Sequence, residues 1–168
     1  MRKFKGTFRT PTPEDIIFVA RNMREADRRE LKRWTGCNEK WGLVNSIRQS
    51  EVCYTGLFED GKIGCIFGAT RFNLMEDDAI LWALSTNEVD KHKMEFALGS
   101  KAGLDKIFRE LPDVGEFRNW MDLDYAAAVR WIEWLGASFS IRGRILGRCG
   151  SQFGEFIVLN PYYKKEEE

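Results

Sequence analysis

The sequence predicts a mixed sheet with helices on both faces, and three observations predict it. Two extended runs flank an Asp-Gly turn near residues 52–70; amphipathic helices alternate with strands after residue 79; and Asn119–Phe139 reads as strand, helix, glycine stop and strand. The 168 residues suffice for one domain with a sizeable core and are too few for two. We therefore expect one α/β (α+β mixed) domain over residues 1–160 and a charged tail over 161–168. The central sheet should be mostly antiparallel, with about six to seven strands.

A short extended piece around Phe4–Arg9 opens the chain. Thr12-Pro13-Glu14-Asp15 is a helix start, with Thr12 as N-cap and Pro13 at a position whose N–H would have no partner. Ile16, Val19, Ala20 and Met23 then make one apolar stripe. Asp27 stands three residues before Glu30, the spacing of a capping box, and predicts a second short helix with Leu31 and Trp34 that stops at Gly36. A third helix, about Glu39 to Gln49, buries Trp41, Val44 and Ile47. Val52–Phe58 and Ile63–Thr70 are extended, and the Asp60-Gly61 between them is a hairpin signal, since tight primed turns need positive φ.

Ala79–Leu84, AILWAL, lacks alternation and predicts a strand buried on both faces. A long helix follows, about Val89 to Leu111, with Ala97, Leu104, Phe108 and Leu111 on one side and Pro112 ending it. Next come a strand near Phe117–Met121 and a helix whose face is Tyr125, Ala128, Val129, Ile132 and Leu135, stopped at Gly136. Extended pieces near Ser138–Arg142 and Phe153–Leu159 finish the order. Between them Arg142, Arg144 and Arg148 stand among three glycines, Gly143, Gly147 and Gly150, around Cys149, a basic loop suited to solvent or to an anionic group.

Lys plus Arg number 26 and Asp plus Glu 26, so no global field draws the chain to nucleic acid. No segment approaches the roughly 18 apolar residues of a membrane span, and the basic N-terminus leads into Pro-Thr-Pro-Glu-Asp instead of an apolar signal core. Cys37, Cys53, Cys65 and Cys149 lack metal-site or redox spacing and are expected to be reduced, buried thiols. His92 is the one histidine, which excludes a His-rich metal centre; no metal is expected. The six tryptophans should anchor core or interface.

Taken in this order, the elements from Phe4 to about Leu159 resemble the GNAT acyltransferase fold. Asn22–Leu31, Trp82–Thr86, Arg130–Gly136 and Gly150–Phe156 are more narrowly similar to the GNAT-like proteins of tailed bacteriophages termed internal virion protein A. The resemblance implies that Ala79–Ser85 splays from its neighbour and offers backbone to the pantetheine arm of an acyl-CoA. It also implies a glycine-containing diphosphate loop, because amides at a helix N-terminus attract anions and glycine lets them approach. Here that loop, Ser85 to Lys93, has no glycine and adds Glu88 and Asp90. If acyl-CoA binds, Leu84, Ser85, Thr86, Lys91 and Lys93 are the residues the resemblance puts on it.

The GNAT helix pattern ends in a proton-donating tyrosine four residues before its glycine, and an asparagine seven residues before that. Counted back from Gly136, these positions hold Ile132 and Tyr125. Ile132 has no proton to give. The remaining catalytic candidates are Glu51, Asp122 and Asp124 as a base, with Tyr125 as a displaced acid, while Asp122 and Asp124 equally suit capping of the following helix. The expectation from this depletion is a non-catalytic GNAT-like phage protein, a virion or assembly component with no cofactor. Its partners would be portal, tail or internal-core proteins or a host protein, with self-association as a further expectation, and its places the host cytoplasm and the virion. The alternative is an acyl-CoA-dependent N-acetyltransferase that uses acetyl-CoA on an amine of a protein or small molecule.

Overall fold

The computed structural model describes residues 3–73, 75–148 and 150–164, with the backbone alone described at residues 141 and 142. Seven strands form one sheet in the order β1-β2-β3-β4-β5-β7-β6. They are β1 (Thr7–Arg9), β2 (Val52–Leu57), β3 (Ile63–Thr70), β4 (Asp78–Ser85), β5 (Glu116–Asp122), β6 (Ser138–Leu146) and β7 (Gln152–Leu159). Every neighbouring pair is antiparallel except β4 and β5. The expected mixed, mostly antiparallel sheet is thus present.

Alternation along the strands divides the core between the two faces. Ile66 of β3 packs with Val19, Met23 and Leu43, so α1 (Pro13–Asn22), α2 (Glu25–Thr35) and α3 (Glu39–Gln49) cover one face. Its neighbour Phe67 joins the other core, where Leu104, Ile107 and Phe108 of α4 (Lys93–Glu110) meet Phe117, Phe156 and Ile132 of α5 (Ala126–Trp134). Among the described residues no helix is long and apolar enough to cross a membrane.

The start of α1 has the expected Thr12 N-cap and is in addition a capping box, with Asp15 answering Thr12 and also held by Arg9 and Thr55. The start of α2 differs: Arg24 is its N-cap and no side chain caps it, so Asp27 and Glu30 are free for other work. The long helix is also broken, with a 3-10 turn over Asn87–Asp90 before α4 begins at Lys93. His92 sits at the break because its ring stacks on Phe58 at 4.3 Å and its Nδ1 lies 2.9 Å from the Glu88 carbonyl.

β6 is longer than expected. Arg144–Leu146 pair with Gln152–Gly154, so Arg144 lies in a strand and the loop shrinks to a tight turn. The amide of Arg148 in that turn donates to the Arg33 carbonyl at the end of α2, at 2.9 Å. Cys149 falls outside the described residues; Cys37, Cys53 and Cys65 are free thiols.

Candidate active site at a split in the sheet

β4 and β5 pair only at Asp78–Ile80 against Glu116–Arg118. Beyond Ile80 the strands diverge, and Asn119 stands in the fork, its Nδ2 donating to the Leu81 carbonyl at 2.7 Å. Thr86 N donates to Gly64 O of β3, so by alternation Trp82, Leu84 and Thr86 face β3 while Leu81, Ala83 and Ser85 face the split. Ser85 is occupied: its N–H reaches Asp27 Oδ2 at 2.7 Å and its carbonyl accepts from Arg24 N. Ala83 is the exception. Its amide and carbonyl have no partner among the described residues, and it is the one exposed residue of β4. A strand buried on both faces, as the apolar run suggests, is interrupted here because β5 has turned away.

A cleft of about 340 Å³ passes through the sheet at this point. Leu31, Trp34 and Asn45 line its side under α2 and α3; Phe8, Gly99 and Gly103 line the opposite side under α4. The two α4 glycines keep that side open, since a Cβ at Gly99 would lie 2.8 Å from the Phe4 ring and one at Gly103 2.8 Å from Phe67.

Helix α2 straps the split. Asp27 holds the β4 end, and Glu30, one turn on, accepts from Asp122 N of β5 at 3.0 Å through Oε2. Glu30 is the only carboxyl among the described residues that line the cleft. Burial, aided by the nearby Asp27 and Asp122 carboxylates, pushes its pKa up to about 8. Burial raises Asp27 as well, against its hydrogen bonds to Ser85 and the opposing charge of Arg24. The Cys65 thiol also lines the cleft, but burial holds it up at about 12, so it is no nucleophile near neutral pH.

The sequence-derived candidates are distributed unevenly around this site. Glu51 pairs with Arg71 at 2.9 Å and does not line the cleft. Asp122 is 1% exposed, tied to Arg33 at 2.7 Å and accepting from Asp124 N in the turn before α5, while Asp124 itself is exposed. Tyr125 N-caps α5 by position, and its hydroxyl lies 3.4 Å from Asp27 Oδ1, so it touches the strap without lining the cleft. Burial pushes that phenol up to about 12. Ile132 is 2% exposed, packs in the core and also lines the cleft.

On the cofactor side, Leu84 lines the cleft, whereas Ser85 and Thr86 are buried and engaged. Glu88 is paired with Lys91 at 3.0 Å and Lys62 at 3.4 Å, and Asp90 with Arg24 at 3.0 Å. Their charge is therefore offset, and the amides of Lys93, Met94 and Glu95 at the start of α4 have no acceptor among the described residues. Lys93 is exposed beside them.

Asp27 and Glu30 are the residues that sequence reasoning missed. Their spacing imitates a capping box, yet Asp27, Glu30, Leu31 and Trp34 also share one helical face. Two acids on the face that carries the apolar residues were the available signal.

No family model matches the chain, and no curated protein matches it. Solved structures do. The spermidine N-acetyltransferase of Vibrio cholerae, in complex with CoA and spermine, is similar over 95% of this chain and 98% of its own, with a TM-score of 0.69 at 12% identity. The ribosomal-protein-S18-alanine N-acetyltransferase of Escherichia coli is similar over 97% and 99%, with a TM-score of 0.60 at 16% identity. The chain therefore has the GNAT acetyltransferase fold. These neighbours correct the expectation of a non-catalytic phage virion component, because the solved structures it matches are N-acetyltransferases and one holds CoA. That expectation rested on absent loop glycines, an absent tyrosine and the negative charge added by Glu88 and Asp90. The acids prove to be paired, and the strand split does not depend on the other two.

Proposed function

We propose that the protein is an acyl-CoA-dependent N-acyltransferase, with acetyl-CoA as donor and an amine as acceptor. The observation that carries this reading is the unpaired backbone of Ala83 at the split, open to a cleft of about 340 Å³. An unpaired amide in the middle of a central strand is costly unless something else completes it. An extended, amide-bearing arm laid along β4 would complete it as a further strand does. Such a donor supplies an acyl carbonyl activated as a thioester.

The residues of the chain then have separable tasks. Ala83 N–H donates to the acyl group or its arm, and Leu84 packs beside it. The free amides at the start of α4, with Lys93, face the anionic end of the donor. Glu30 is the base: its carboxylate takes one proton from the acceptor ammonium, the freed nitrogen lone pair bonds the acyl carbon as the bond to sulfur breaks, and the second nitrogen proton passes to solvent. A pKa near the working pH suits that task. The sulfur leaves with its electron pair and takes a proton from solvent, a step for which Ile132 offers nothing. The fold neighbours act on spermidine and on a ribosomal-protein alanine, both amines. The resemblance of four segments to the tailed-phage proteins we propose as a sign of descent, with no bearing on activity.

Calorimetric titration with acetyl-CoA tests the reading directly. Binding in the micromolar range, together with amine-dependent release of free thiol, is the expected result. Absence of both at millimolar acetyl-CoA would overturn it.

A further inference from the structure

The cleft that defines the proposed reaction also restricts its acceptor. Among the described residues it presents one carboxyl, Glu30. Every other acid near the split is engaged elsewhere: Asp27 with Ser85 N–H, Asp122 and Asp124 with Arg33, Glu51 with Arg71. A polyamine brings three or four ammonium groups along one chain, and each one taken from water without a partner is strongly opposed. One carboxyl matches one ammonium.

The surroundings of Glu30 say what the rest of the acceptor should be. Trp34 lies four residues on, on the same face of α2. Its ring stacks with Trp120 at 6.4 Å and 19°, and leans on Phe153 at 5.0 Å, so an aromatic wall begins one helical turn from the carboxyl. Trp34 and Trp120 both line the cleft, and Trp34 remains 37% exposed despite these neighbours. A partly exposed indole beside the one carboxyl that lines the cleft fits a flat ring carried a few atoms from an amine. The volume of about 340 Å³ is in the range of small-molecule sites.

We propose that the acceptor is a monocationic amine with an aromatic body, an arylalkylamine, seated with its nitrogen at Glu30 and its ring on Trp34, and that polyamines are poor acceptors. This rests on the acyltransferase reading, and the experiment separates the two. Purified protein with acetyl-CoA is offered phenethylamine, tryptamine, spermidine and an alanine-terminated peptide, and thiol release is followed while acetyl-CoA binding is measured by calorimetry. The expected result is a kcat/KM for the arylalkylamines at least about tenfold above that for spermidine and the peptide. Equal or better use of spermidine or the peptide overturns the proposal and leaves the acyltransferase reading standing. Acetyl-CoA binding with no turnover of any amine does the same. No binding and no turnover overturns both.

Trp34→Ala should raise the arylalkylamine KM about tenfold or more with the acetyl-CoA KM unchanged; a rise in the acetyl-CoA KM instead assigns the wall to the donor and overturns the proposal. Trp34→Leu, which keeps apolar bulk, repeats the test if Trp34→Ala is poorly folded.

Discussion

Glu30 is held between opposing influences, and its chemistry follows from which of them prevails. Burial and the Asp27 and Asp122 carboxylates favour the proton, the Asp122 N–H and Arg29 favour the charge, and the balance lies at about 8. In the unfolded chain the ordinary value is 4.5. The folded chain thus binds the extra proton between those two values, so stability falls as pH rises through that window and levels off above it. Asp27, also raised, acts in the same sense. Glu30→Gln keeps an acceptor for Asp122 N–H and removes the titration. It should lower kcat about a hundredfold or more, abolish a rate limb with an apparent pKa near 8, and raise Tm at pH 9 above that of the wild type. Loss of activity with an unchanged pH profile would assign Glu30 a structural role instead. Ile132 illustrates the opposite case. Ile132→Tyr restores the residue type of the GNAT pattern, yet it puts a larger, polar-tipped side chain at a buried position that packs in the core and borders the cleft. It should cost about 1–3 kcal/mol in urea unfolding and bring no gain in kcat.

At the scale of elements, local chemistry was legible where it was satisfied locally. The Thr12 cap, the Asp-Gly turn and Gly136 are each complete within a few residues; Gly136 has φ 103°. The α2 start was not legible, because its carboxylates answer amides 58 and 92 residues away, on strands whose divergence no local pattern announces. The same divergence hides in AILWAL, whose composition says only that the strand is central. Helix α4 carries an element-scale test. Gly99 and Gly103 lie one turn apart on the face toward the cleft, and Gly103→Val would place its side chain against Phe67. The expected outcome is a normal helical circular dichroism spectrum with turnover reduced about tenfold or more, through loss of cleft volume; unchanged turnover would show that the α4 side of the cleft takes no part in turnover.

For the whole molecule, the order of elements was enough to read the architecture, whereas matching single residues to a family pattern left out the partners those residues meet in space. The absent glycines and the added Glu88 and Asp90 counted against a bound diphosphate, whereas Lys62 and Arg24 come from other parts of the chain, and Lys91 from the same loop, to meet those acids. The three-rung pairing of β4 with β5 has a mechanical consequence. Among the described residues it is the only strand-to-strand seam between the four strands on one side and β5, β7 and β6 on the other, whereas β5 and β7 share seven rungs. Pulled in opposite directions from β2 and β7 in a force spectrometer, the chain should part first along that seam, giving an early rupture before either half unravels. A donor lying in the fork would act as a splint. Acetyl-CoA should therefore raise the force of the first rupture and leave the later ones where they were.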